Sequence, residues 1–273
     1  MQREIDEVAL VSSDTFGSAR EWQRVHAGAK DGTAVNILAI ETSTEACSVA
    51  LLTRDGIIER HEIAPRRHTG LVLPWADELL AQAGIKKSQL DAIAVGRGPG
   101  AFTGVRLAIA LVQGMAMALE KPVLPVSTLA ALAMQASGNE TILAAIDARM
   151  GEIYLGCFQR DDDGLVSPIC AETLVSPDAP ALPGAACWQG VGTGFAASQS
   201  ALQTAMAGRL VRCDANALPH AGDIVRLAAR AFRKGEAIAP DLLEPAYLRD
   251  KVALTISEQD SKRHAQAGGL NGH

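Results

Sequence analysis

The stretch from Asp91 to Leu119, DAIAVGRGPGAFTGVRLAIALVQGMAMAL, constrains this chain more than any other. An apolar run from Ala92 to Val95 breaks into a loop with Gly96, Gly98, Pro99, Gly100 and Gly104, and a helix is predicted from Thr103 to Leu119. Strand, glycine-rich turn and helix together present backbone N–H groups and a positive dipole end to an anion. No Lys-Ser/Thr pair closes this loop, so it is not a Walker-type P-loop, and GRGPGAFTG lacks the dinucleotide G-x-G-x-x-G spacing. The helix is apolar on nearly every side. Ala110, Gly114 and Ala118 form a smooth stripe that another helix can approach, while Val105, Ile109, Val112 and Met115 cover a second sector. A helix apolar all round is buried all round. That calls for a covering surface beyond one small domain, and a partner protein is one candidate.

The rest of the chain bounds the function. A net charge of −6 argues against a protein that grips nucleic acid alone, since that needs a basic surface, and no basic, aromatic-lined patch is evident. Aromatics at 4% leave the core to Ala, Leu, Val and Ile. Cys47, Cys157, Cys170, Cys187 and Cys213 are odd in number and widely spaced, which reads as reduced thiols in a cytoplasmic protein. The histidines follow neither H-x-x-x-H nor H-E-x-x-H, so no metal is expected. The acidic N-terminal run has no signal or transit character. The helix ending at Leu119 is expected to fall short of a bilayer span, with Arg106 and Gln113 inside it.

Pattern begins at Val35. Strands are predicted over VNILAIETS, Cys47 to Thr53 and Ile57 to Ala64, then a helix whose Leu71, Val72, Trp75, Ala76, Leu79, Leu80 and Ala83 share a stripe stopped by Gly84. Pro74 either starts that helix or bends it. After the Asp91–Leu119 unit come a strand, Val123 to Val126, and a helix to Ala136. Ser137-Gly138-Asn139 reads as a seam. Beyond it the pattern restarts with strands Ile142 to Ile146 and Glu152 to Gln159, a Ser176–Ala186 loop, the GVGTG turn (Gly190 to Gly194), and a helix from Pro219 to Lys234. Its arginines, Arg226, Arg230 and Arg233, are assigned to an outer face. The organisation expected is therefore residues 1–34 as a disordered extension, 35–137 and 138–254 as two subdomains, and 255–273 as a disordered tail. The 219–235 helix is expected to pack back on the first subdomain. Three hairpin-linked strands followed by helix, strand and helix is the order of the two-domain actin-like, sugar-kinase-like ATPase (ASKHA) fold, an α/β architecture of duplicated units.

In that fold the first hairpin brings an acidic residue, a glycine and a hydroxyl to the phosphates. Here the turn is Glu41-Thr42-Ser43-Thr44, without glycine, so either its hydroxyls satisfy local backbone or phosphate contact is weak. Thr42, Ser43, Gly98, Gly100, Gly192 and Gly194 are the candidates for weak nucleotide contact. Ser43, His68 and Asp77 lack any nucleophile-elbow setting. Asp147-Ala-Arg149 reads as a turn held by an ion pair.

From Asn36 to Leu254 the chain resembles the bacterial TsaB (YeaZ) family. The resemblance lies in ILAIETST, RRHTGLVLPWADELLAQAG, the GxGPGxFTGxR segment, KPVLPVSTLAALA, IDARMGEIY and EPAYLRDKVA. It implies a role in making N6-threonylcarbamoyladenosine at position 37 of tRNAs reading codons that begin with A. It also implies direct partnership with TsaD, which carries the transferase site, TsaE joining through the complex, and a homodimer when TsaD is absent. ATP and metal are expected on partner subunits, and tRNA only through the complex. Where TsaD has a metal-binding H-M-E-G-H motif, this chain places Thr128 and Leu132, neither a useful ligand. A non-catalytic scaffold follows, with Leu71, Val72, Trp75, Leu79, Val105, Ile109, Val112 and Met115 as the expected partner face. The competing reading is an ATP-dependent phospho- or acyltransferase of the same fold. Residues 1–34 lie outside the resemblance, as an upstream mis-set start or a vector-derived extension would explain.

Overall fold

The computed structural model describes residues 35–138, 141–184 and 187–249. The expected 1–34 extension, the 255–273 tail and Asn139 of the seam lie outside the described residues.

The first sheet joins β1 (Ile37–Glu41), β2 (Ala46–Thr53), β3 (Gly56–Ile63), β4 (Ala92–Gly96) and β5 (Val123–Val126) in the order β3-β2-β1-β4-β5. β1, β2 and β3 are antiparallel neighbours, while β4 and β5 run parallel to β1. Alternation along β1 sorts the two faces. Leu38 and Ile40 point towards α1 (His68–Ala83) and α2 (Phe102–Leu119), and Ile37 and Ala39 face the other way. On that second face lies α5 (Ala221–Arg233), packed across the strands of the first sheet.

The second sheet holds β6 (Thr141–Arg149), β7 (Glu152–Arg160), β8 (Val166–Pro168), β10 (Trp188–Val191) and β11 (Leu210–Asp214), with β9 (Thr173–Val175) paired to β7. Its inner face meets α3 (Thr128–Ala133), and α3 meets α5. Ile142, Ala144, Ile146 and Phe158 of this sheet therefore share one core with Ile37, Ala39, Ile224 and Ala228. The outer face carries Leu143, Leu155 and Trp188 against Phe195 and Leu202, the latter in α4 (Ala197–Ala205). Helices and sheets thus alternate, which is the two-domain actin-like α/β arrangement.

Several local expectations are corrected. α1 begins at His68 and carries Pro74 in its interior, and His68 Nε2 sits 3.2 Å from the Ala46 carbonyl. β8, β9, β11 and α4 lie in stretches to which the sequence reading assigned no element; they are short or weakly apolar, so periodicity does not reveal them. Arg230 does not sit on a solvated face. Its guanidinium reaches Asp161 at 2.7 Å and the Val166 carbonyl at 2.6 Å, tying α5 to the second sheet. α2 is, by length and composition, the one helix among the described residues able to cross a membrane, contrary to expectation. Its apolarity has a local use: Val105, Ala108, Ile109, Val112 and Ala116 pack on the sheet, and Gln113 donates to the carbonyls of Pro240 and Leu243.

The seat of α5 is titratable. The rings of His61 on β3 and His220 stack at 4.0 Å, His220 Nδ1 lies 3.4 Å from Glu59, and Glu59 accepts the Gly222 N–H at 3.0 Å. Burial pushes Glu59 up, but His220 and the Gly222 N–H outweigh it and hold the carboxyl below its ordinary 4.5. The Glu59 hydrogen bond lifts His220 above 6.5 against burial, whereas burial and the neighbouring imidazolium lower His61. Asp223, on the same turn, is pushed up by burial. A raised His220 stabilises the fold below 6.5 and loses that effect as pH climbs through its folded value; a lowered Glu59 contributes above 4.5 and loses it as pH falls. The pair acts fully between those limits. Glu59→Gln should therefore cost about 1–2 kcal/mol near pH 5.5 and less near pH 8.5, measured by urea unfolding at both.

Candidate functional site

β1, β4 and β5 run parallel, so their carboxyl ends bring Glu41, the Gly96–Gly104 loop and Thr128 to one edge of the sheet. Glu41 is fully buried. One of its oxygens accepts the Ser43 N–H at 2.5 Å, and the other accepts the Thr128 hydroxyl at 3.3 Å. Thr128 Oγ1 in turn accepts the Gly98 N–H at 3.2 Å, while the Thr128 N–H donates to the Gly98 carbonyl at 2.9 Å. Burial raises the Glu41 pKa, and these donors only partly offset it. Ser43 Oγ lies near enough to lower it further, yet no group stands in hydrogen-bonding geometry to that hydroxyl.

The glycines explain how the pieces fit. A Cβ on Gly96 would meet Glu41 Oε2 at 1.7 Å, one on Gly100 would meet the Ser43 carbonyl oxygen at 2.6 Å, and one on Gly104 the Thr42 carbonyl oxygen at 2.0 Å. The Ala101 N–H donates to Ser43 O at 2.7 Å, and Thr42 Oγ1 to Gly104 O at 2.8 Å. The glycine loop is therefore packed directly onto the hairpin turn, backbone to backbone.

Between the sheets opens a cleft of about 680 Å³, lined by Ser43, Gly100 and Arg106 on one side and by Asp147, Arg149 and Thr193 on the other. Pro245 to Arg249 runs along it as a strap. The Ala246 N–H donates to the Arg97 carbonyl, Tyr247 Oη accepts from Arg106 at 2.6 Å, and Arg249 pairs with Glu152 at 2.8 Å and donates to Ala148 O. The Arg106 guanidinium lies 3.2 Å over the Phe102 ring. Arg149 is held by Asp147 at 3.0 Å, as the turn pattern suggests.

The expected sites are redistributed. Ser43 and Gly100 line the cleft; Thr42, Gly98, Gly192 and Gly194 do not, because they serve packing. Gly192 (φ 107°) and Gly194 are pressed against Ala145, with Leu132 against Gly192. Ser43 and His68 share the cleft, but Asp77 pairs with Lys87 at 2.7 Å elsewhere. Thr128 and Leu132 are wholly buried. Of the expected partner face, Val72, Leu79, Val105, Ile109 and Val112 are buried in the chain's own core, because each lies on the helix side turned to the sheet. Leu71, Trp75 and Met115 remain half-buried. The exposed sector is Leu73, Ala110, Gly114, Met117 and Ala118, with Phe102 at the start of α2. Arg106, Tyr247 and Arg249 had no assigned role, since no spacing rule joins residues 141 positions apart.

A family model described as TsaD, tRNA N6-adenosine threonylcarbamoyltransferase, matches residues 55–256. The tRNA threonylcarbamoyladenosine biosynthesis protein TsaB of Escherichia coli is 40% identical over 228 residues, covering 80% of this chain and 96% of the relative. The chain belongs to the TsaB (YeaZ) family. The TsaB of Haemophilus influenzae is 39% identical over 230 residues, with 80% and 95% of the two chains covered. The structure of YeaZ from Pseudomonas aeruginosa superposes with a TM-score of 0.73 at 46% identity, over 78% of this chain and 100% of that one. With the TsaB fold in hand, the glycine loop is a packing device first. Gly104→Ala should destabilise by about 3 kcal/mol or more, because two backbones must separate, whereas Gly114→Ala, which meets nothing within 4 Å, should be neutral or stabilise by up to about 1 kcal/mol. Paired urea titrations read the contrast.

Proposed function

We propose that the chain is a non-catalytic subunit in the synthesis of N6-threonylcarbamoyladenosine at position 37 of tRNAs reading codons that begin with A, and that it works by docking on TsaD. The names of its relatives place them in that biosynthesis. The observation that carries the non-catalytic reading is the closed hairpin: Gly100 and Gly104 lie on Thr42 and Ser43, and Thr128 and Leu132 stand buried where metal ligands would be needed. Thr128 spends its hydroxyl on Glu41 and Gly98, and a leucine offers no ligand atom. ATP and metal then belong to partner subunits, TsaE enters through the complex, and tRNA is engaged by the assembly in the cytoplasm.

The docking surface is the outer side of α1 and α2. Small residues at Ala110, Gly114 and Ala118 let a second helix come close, flanked by Leu73 and Met117, each 44% exposed. In the absence of TsaD the same surface pairs with a second copy, and the two modes compete. Burial of each large apolar side chain there contributes about 1.5–3 kcal/mol.

Gly114→Arg and Met117→Glu should leave the circular dichroism spectrum intact yet weaken the TsaD complex and the homodimer by about 30-fold or more, as read by size-exclusion chromatography and titration. Val112→Glu should instead unfold the chain, since Val112 is fully buried. Intact complexes with both folded surface variants would move the interface elsewhere. Purified chain free of TsaD should transfer no threonylcarbamoyl group to tRNA; transfer would refute the non-catalytic reading.

A further inference from the structure

We propose that Cys157 and Cys170 form a modification site, a dithiol that a peroxide-class oxidant closes to a reversible disulfide, fixing the segment that caps α3. The pairing of β7 brings the two together. β8 pairs with residues 158–160 of β7 and β9 with residues 153–155, so the β8–β9 connection passes beside Gly156 and Cys157. Cys170 stands in that connection. The Ile169 N–H donates to the Cys157 carbonyl at 2.8 Å, which pins the connection to β7. Cys157 is buried in the outer core of the second sheet, and Cys170 packs against the same cluster. Their side chains are hydrogen-bonding neighbours. Side chains in contact across one backbone hydrogen bond need little backbone movement to be joined.

Access differs between the two. Cys170 is half-buried and lines a groove of about 740 Å³ between the strap, α5 and β8. Cys157 is 1% exposed, and burial pushes its thiol up to about 12. Cys170 is therefore the sulfur that meets the oxidant. Its thiolate attacks a peroxide oxygen: an S–O bond forms, the O–O bond breaks, and the departing hydroxide takes up the proton that Cys170 gave up. The Cys157 sulfur then attacks the Cys170 sulfenic acid; the S–S bond forms, the S–O bond breaks, and hydroxide leaves as water with the Cys157 proton. The thiol pair loses two electrons and two protons in all, and the peroxide is reduced to water. A reducing dithiol reverses the step. Glu172 follows two residues on and accepts the Ser127 hydroxyl, and Ser127 Oγ accepts the Ala130 N–H at 3.0 Å as the cap of α3. A disulfide at Cys170 thus restrains the carboxyl group on which that cap rests. Cys47, by contrast, lies in a core cluster with no second cysteine, and Cys187 and Cys213 are exposed.

The test titrates the reduced full chain with hydrogen peroxide, unfolds it, blocks the remaining thiols with iodoacetamide and maps them by mass spectrometry. The expected result is joint loss of the Cys157 and Cys170 thiols, a peptide pair linked through them, and full recovery with dithiothreitol. Cys170→Ser should slow the loss of the Cys157 thiol about tenfold or more, while Cys157→Ser should leave a Cys170 sulfenic acid that dimedone traps. Cys170 is half-buried, so its variant decides the matter should Cys157→Ser fail to fold. On oxidation, hydrogen exchange at the Ala130 amide should slow about threefold or more. The proposal is overturned if Cys157 stays alkylatable once Cys187 and Cys213 are oxidised, or if Cys170 links to another cysteine instead. It is equally overturned if Cys170→Ser loses the Cys157 thiol as fast as the wild type does. Unchanged exchange at Ala130 in the oxidised chain would overturn the link to α3.

Discussion

The contact on which the rest of this structure depends is the one between the glycine loop and the β1–β2 turn. Gly104 and Gly100 allow two backbones to touch, at a distance that any side chain on either would forbid. That contact sets where α2 begins, and so which side of α2 meets the sheet. It also carries Gly98 to Thr128, whose hydroxyl links the loop to the buried Glu41 and to the start of α3. A buried carboxyl group held by the Ser43 N–H and the Thr128 hydroxyl is costly to disturb. The first sheet, the inner helix layer and the outer helix pair are all referenced to this one junction.

Function follows from what the junction leaves open. Gly100 and Gly104 close the hairpin turn by packing directly on Ser43 and Thr42. What remains outward is a helical surface of small residues and a cleft rich in arginine. The strap from Pro245 to Arg249 holds both sides of that cleft, through Arg97 and Arg106 on the first sheet's side and Ala148 and Glu152 on the second's. Its surfaces are fixed relative to each other by a core shared between the two sheets.

Much of the fold was legible in the sequence because its strands and helices are long and strongly patterned. Leu38 and Ile40 against Ile37 and Ala39, or the stripe through Val72 and Leu79, follow directly from periods of two and 3.6. The short strands Val166–Pro168 and Thr173–Val175 were not legible, being too brief to show a period. The candidate partner residues illustrate a different limit. Periodicity finds the apolar stripe of a helix, but when nearly every side is apolar it cannot say which stripe faces inward. Val105, Ile109 and Val112 were for that reason assigned outward, and packing on the sheet places them inside. The Arg106–Tyr247 pair was invisible for want of any local signal, since tertiary folding alone brings the two together.

Hydrogen–deuterium exchange of the full chain, with and without TsaD, tests the central account most directly. The account predicts new protection along the outer side of 68–83 and 102–119, with the Glu41–Thr44 turn and the Gly96–Gly104 loop already protected and unchanged. Protection confined to the second sheet, or a hairpin turn that exchanges freely until ATP is added, would contradict it.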